Sequence, residues 1–145
     1  MIQRIQSIFL LLAAGFFGGQ FLTSFVSSTE PVNGIFADQI FNLYDNPALL
    51  IIAGLGALIA LVTIFLFNNR KLQLKLSYLI MTLSIILPIV AVLLFTNQVE
   101  AMPEAVKVND QAGLYLPLGT ILFTVLAIRF INKDEKTVRS MDRLR

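Results

Sequence analysis

Asn46-Pro47-Ala48-Leu49-Leu50-Ile51-Ile52-Ala53-Gly54-Leu55-Gly56-Ala57-Leu58-Ile59-Ala60-Leu61-Val62-Thr63-Ile64-Phe65-Leu66-Phe67 is the stretch that decides the fold. From Pro47 onward it runs for roughly 20 residues without an ionisable side chain, enough for a helix to cross a hydrocarbon layer about 30 Å thick. Its start is legible: the Asn46 side chain suits capping of free backbone N–H groups, and Pro47 suits a first helical position, where its missing N–H costs nothing. Asn68, Asn69, Arg70 and Lys71 follow, and their polarity ends the span.

Three further apolar blocks flank this one, giving expected spans at about 5–26, 47–67, 76–96 and 113–131. In the first, a signal peptide is the competing reading, because Arg4 resembles a basic leader and Val26 and Ser28 fit a cleavage site. Signal cores are about 7 to 15 residues long, and this longer run reads as an uncleaved anchor. Leu72, Gln73, Leu74 and Lys75 read as a short connection into the third span, within which Pro88 removes the backbone bond to the Ser84 carbonyl and predicts a kink. The fourth opens at Gly113, Leu114, Tyr115, Leu116 and Pro117, with Tyr115 suited to the interfacial aromatic belt and Arg129 able to snorkel at the far end.

Composition agrees. Hydrophobic residues make up 57% of the 145 and charged residues 14%, with a mean hydropathy of +0.79, which excludes a soluble globule. The chain has no His and no Cys, so thiolate and imidazole metal sites, disulfides, His-based triads and His-ligated haem are excluded. The reading is of a protein that is not an enzyme and has no cofactor. The expected class is an all-α, polytopic four-helix membrane bundle forming one domain, with a charged tail at 132–145.

Charge orients the bundle. Arg4, Arg70, Lys71, Lys75, Arg129, Lys133, Lys136, Arg139, Arg143 and Arg145 fall on one side of the four spans, and of the 11 basic residues only Lys107 falls on the other. Six of the nine acids, Glu30, Asp38, Asp45, Glu100, Glu104 and Asp110, lie on that other side. The positive-inside rule then makes both termini cytoplasmic and the two long loops periplasmic.

No span carries an ionisable side chain in its interior, which argues against a proton-coupled exporter. The most polar intramembrane candidate is Gln20, expected on one helical face with Ser24. It reads either as an interhelical hydrogen bond of about 1 kcal/mol or as a ligand spot. Gly15 and Gly19 form a GxxxG pair continued by Thr23, while Ala53, Gly56, Ala57 and Ala60 line the second span. These small residues suit close packing of spans one and two, or a dimer or partner interface.

In the first outer loop, Phe36, Ile40, Leu43 and Tyr44 share a helical face and predict an interfacial helix, while Asn33-Gly34 offers a hairpin turn as the alternative. In the second, Ala105, Val106, Lys107 and Val108 alternate as a short strand does, and the two loops together suggest a small periplasmic cap. The acids show no metal-loop spacing and read as dispersed and solvated.

The tail Lys133-Asp134-Glu135-Lys136-Thr137-Val138-Arg139-Ser140-Met141-Asp142-Arg143-Leu144-Arg145 reads as helical, with Glu135 and Arg139 an i, i+4 pair. Its bases suit anionic lipid, together with Arg4, Arg70 and Lys71. Its mixed signs, with Asp142 among them, favour a protein partner over nucleic acid.

Taken together, Met1-Ile2-Gln3-Arg4-Ile5-Gln6-Ser7 at one end and Lys133-Asp134-Glu135-Lys136, Val138-Arg139-Ser140 and Asp142-Arg143-Leu144-Arg145 at the other resemble a family of small four-helix inner-membrane proteins from Bacteroidota with no known function. The resemblance implies a bacterial inner-membrane location and carries no catalytic or ligand-binding residue. The functional expectation is an accessory or scaffold subunit of a larger inner-membrane complex, of the kind used in secretion, insertion or envelope biogenesis, and homo-oligomerisation is open. The competing class is a small transporter or lipid-binding protein with a pocket near Gln20, Ser24, Ser84 and the Pro88 kink.

Overall fold

A computed structural model of the chain describes residues 3–32, 34, 36–99 and 106–142, without the side chains of 3, 4, 139, 141 and 142. The expectations placed on Asn33, Glu100, Glu104, Ala105, Arg143 and Arg145, and on the side chains of Arg4, Arg139 and Asp142, lie outside the described residues.

Four helices form the body: α1 (Gln3–Gly19), α2 (Pro47–Phe65), α3 (Arg70–Val99) and α4 (Leu116–Asp142). Each packs against two others, closing the ring α1-α2-α3-α4. All four lie in segments long and apolar enough to cross a membrane. Large apolar side chains cover the outside of the bundle as well as its core, whereas a soluble bundle keeps its apolar stripe inward and its outer face polar. Here α2 turns Leu49, Ala53, Gly56, Ala60 and Thr63 inward, and α3 turns in Gln73, Ser77, Ile80, Ser84, Leu87 and Ala91. Large apolar side chains such as Ile51, Leu58, Phe65, Ile89, Leu93, Leu118 and Leu122 stay on the outside. In water that surface would be an extended apolar patch; against acyl chains it costs nothing, and small inward residues let the helices approach.

The α2 start is as read from the sequence: Asn46 Oδ1 accepts the Ala48 N–H at 2.9 Å and Pro47 is the first helical residue. Asn46→Ala is expected to cost about 1 kcal/mol, measured by thermal unfolding in detergent. Just before it, Asn42 Oδ1 accepts from Tyr44 N and Asp45 Oδ2 accepts from Asn42 N. Burial pushes the Asp45 carboxyl above its usual range, opposed by the Asn42 N–H and reinforced by Asp38.

Several expectations are corrected. The first span does not run helically to Val26: α1 ends at Gly19, residues Gln20–Leu22 form one 3-10 turn, and Thr23 is extended. The Gly18-Gly19 pair has poor helix propensity, and Thr23 Oγ1 donates back to the Gly19 carbonyl at 3.0 Å. Chain beyond Thr23 is taken instead by a strand, β1 (Val26–Ser28). The residues read as a connection before the third span are part of α3, which starts at Arg70 with Asn69 Oδ1 accepting the Leu72 N–H. Gly113 lies in a 3-10 turn, Ala112–Leu114, ahead of α4. The charged tail is no separate segment as far as Asp142, because α4 runs through it unbroken.

The interfacial helix expected at residues 36–44 does not form: residues 40 and 41 join a sheet and Leu43–Asp45 make one 3-10 turn. β2 (Ile40–Phe41) and β3 (Val108–Asp110) flank β1 antiparallel, in the order β2-β1-β3, with Val26 opposite both Phe41 and Asp110. Pairing satisfies backbone groups that a short helix would leave open at both ends. Val32 and Phe36 bridge across a reversal in which Gly34 holds φ 107°, a conformation that favours glycine. The second-loop strand begins at Val108, further along than the alternation of Ala105 to Val108 indicated, because its register is set by β1. Phe25, Phe36 and Phe41 pack together beneath the sheet, with Phe36 edge-on to Phe95 of α3. Gly113 ties this end to α4: its N–H donates to the Ser24 carbonyl at 2.9 Å, and a Cβ there would sit 2.4 Å from the same oxygen.

Candidate functional site

At the end of the bundle opposite the sheet, α3 begins and α4 passes by. Arg70 Nε and Asp134 Oδ2 approach to 2.9 Å, with side chains only 21% and 10% exposed. They meet as an ion pair, without the alignment of a hydrogen bond. Asp134 is thus the one acid on α4 that is buried among the described side chains, and it ties the first residue of α3 to the helix carrying the tail. Sequence reading placed Arg70 and Asp134 on the same side of the membrane but did not pair them, since an i, j pair so far apart leaves no periodic signal.

Deeper in the bundle, Gln73 and Gln6 are both fully buried. Gln73 Nε2 donates to the Thr63 carbonyl at 3.2 Å, Gln6 Nε2 donates to Gln73 Oε1 at 3.4 Å, and Ser77 Oγ donates to the Gln73 carbonyl at 2.9 Å. These bonds clamp α1, α2 and α3. The Thr63 carbonyl, in the last turn of α2, also accepts the Leu66 N–H at 3.3 Å, so the Gln73 amide is its second donor and links α3 to the end of α2. The sequence reading missed this amide pair, having assigned Gln73 to a solvated connection.

Past the ion pair, α4 continues for two further turns; Lys133 and Lys136, on either side of the inward Asp134, are exposed. Glu135 and Val138 of this extension, with Phe67, Asn68, Asn69, Arg70 and Lys71, line an open cleft of about 440 Å³. Of the expected docking residues, the structure therefore brings Arg70 and Lys71 to one cleft and sets Lys133 and Lys136 beside it on the same helix.

The small-residue faces divide differently from the sequence reading. Ala53, Gly56 and Ala60 are buried along one side of α2, with Ala57 partly buried next to them. A Cβ on Gly56 would lie 2.5 Å from the Phe17 ring of α1, so this is where α1 and α2 come closest on small residues. Gly15 is exposed, with nothing within 4 Å of a Cβ, and Gly19 faces Leu116 of α4 at 3.4 Å. The GxxxG pair does not join spans one and two; helical phase rotates it away from α2. The α1–α4 contact uses Gly119, where a Cβ would meet Phe16 at 2.3 Å, a residue not singled out beforehand.

Gln20 is 1% exposed, and neither polar atom of its amide has a partner among the described residues. Ser24 does not share a face with it, because the helix has already ended; Ser24 lines a shallow surface cleft with Tyr44 and Asn42. Ser84 is fully buried and its hydroxyl donates to the Met81 carbonyl at 2.8 Å, while Pro88 lines a separate outer surface with Ile89 and Val92. These four residues do not converge on one cavity. Among the described residues no group of three or more carboxylates gathers.

A family model described as a domain of unknown function, DUF4293, matches residues 2–144, nearly the whole chain. No curated protein and no solved structure matches it.

Proposed function

The chain belongs to the DUF4293 family, a domain of unknown function, and on that premise we propose that it is a non-enzymatic accessory or scaffold subunit of a larger assembly in a bacterial inner membrane, of Bacteroidota origin. Both termini are cytoplasmic and the sheet caps the periplasmic end. The observation that carries this reading is the unbroken passage of α4 into a charged helix pinned at Asp134 to Arg70. A flexible tail would lose much ordering entropy on docking; a helix already held against the bundle loses less. It therefore presents Lys133, Lys136 and Glu135 to a partner in fixed register. The orientation is supported by the gathering of basic residues at this end, and the partner class by the mixed signs of the extension.

The test is purification of the tagged protein from its own membranes in mild detergent, with stoichiometric companions identified by mass spectrometry, beside a variant ending at residue 132. Companions present in the intact chain and lost in the shortened one are expected. A lone chain in both preparations overturns the reading. Alkaline phosphatase fused after residue 142 is expected to be inactive, and activity there would reverse the orientation.

A further inference from the structure

A cavity of about 240 Å³ lies between the sheet and α3, opposite in character to the cleft at the basic end. Val26 and Phe41 of the sheet form one wall, Ala91 and Phe95 of α3 the other, and Val92 and Asp110 stand at the cavity's edge. Val92 is 47% exposed on the outer surface of α3, so the cavity borders the face that meets acyl chains. Asp110 contributes the single carboxylate of the lining. It sits directly across the ladder from Val26 and so shares its face of the sheet, whereas Asn109 and Ser27 point the other way. The other polar lining group, Thr96, directs its hydroxyl to the Leu93 carbonyl at 3.1 Å. Tyr115 Oη donates to Asp110 Oδ2 at 3.4 Å.

Depth follows from the helix. Lys75 is the last basic side chain along α3, and about 30 Å further, at 1.5 Å per residue, the helix reaches roughly Phe95. The cavity therefore lies in the outer acyl region with Asp110 in the headgroup layer. An apolar cleft beside chains of the bilayer gains close contacts when one of those chains fills it. The carboxylate at its edge then selects the headgroup: it attracts an ammonium, is best met by a primary amine that can donate a hydrogen bond, and repels a headgroup of net negative charge.

We propose that this cavity holds one acyl chain of an aminophospholipid, phosphatidylethanolamine in class, whose ammonium pairs with Asp110. The proposal rests on the reading that the four helices cross a bilayer. It is tested with the full chain reconstituted in vesicles of equal parts phosphatidylethanolamine, phosphatidylcholine and phosphatidylglycerol with identical chains, then released in mild detergent for native mass spectrometry. One retained phosphatidylethanolamine is expected. Asp110→Asn should lower its preference over phosphatidylglycerol by about fivefold, the worth of one exposed ion pair. Ala91→Phe, which fills the cavity, and Val92→Trp, which covers it from the outer surface without entering the core, should each remove the retained lipid. Preferential retention of phosphatidylglycerol, an unchanged preference in Asp110→Asn, or undiminished retention in Val92→Trp overturns the proposal. Alkaline extraction of the source membranes separates the two levels: release of the chain defeats the bilayer reading itself, whereas a chain that stays embedded but retains no lipid defeats only the cavity assignment.

Discussion

Arg70→Met is expected to lower the stability of the detergent-solubilised protein by about 3 kcal/mol, because it leaves the Asp134 carboxylate enclosed without its cation. The two partners are not equivalent. Asp134 is the more enclosed, while Arg70 is about twice as exposed and has a long side chain that can carry its charge to the headgroups. Asp134→Leu should therefore cost less than Arg70→Met. The double variant should recover most of the loss, since the cost comes from the stranded charge rather than from the pair's net attraction. Unfolding by denaturant in micelles checks all three, and a neutral Arg70→Met would mean that the ion pair does not hold α4 to α3. The cleft at the α4 extension depends on the same pair, so companions captured by the intact chain should also be diminished in Arg70→Met.

Gly56→Leu is expected to cost a similar amount, about 3 kcal/mol, at the upper end for overfilling a packed interior. A Cβ at that position falls within 2.5 Å of the Phe17 ring, and Phe17, 1% exposed, has nowhere to turn. Combining it with Phe17→Ala should restore a good part of the loss, which identifies the clash rather than helix propensity as the cause. Gly15→Leu supplies the contrast: with nothing within 4 Å, it should be neutral or gain up to about 1 kcal/mol from helix propensity. A large loss at Gly15 would restore the sequence-based view that its GxxxG face is a packing interface. Thermal unfolding of the three variants in one detergent decides it.

These two glycines mark the limit of sequence reasoning. Both lie in small-residue patterns of similar appearance, and nothing local tells which faces a neighbouring helix, because that depends on the rotation of each helix within the ring. The same holds at Gln73 and Gln20. Gln73 looked solvated by its position between Lys71 and Lys75, yet α3 begins early enough to turn it inward against Gln6. Gln20 was recognised as polar and enclosed, but its supposed companion Ser24 belongs to chain that has left the helix for the sheet. The interfacial helix failed for a related reason: helical spacing of Phe36, Ile40, Leu43 and Tyr44 is a weak local signal. Pairing of β2 with β1 joins residues from both sides of a reversal and outweighs it.

What the sequence by itself determined is the set of four apolar helices, the capped start of α2, and the separation of basic from acidic ends. Each depends on length, charge or a cap within a few residues. Tertiary structure alone decided which residues face inward, that α4 carries the tail as one helix tied to Arg70, and that two loops distant in sequence share a sheet over an apolar cavity. Those outcomes arise from contacts whose energy depends on distance in space, and for them separation along the chain carries no signal.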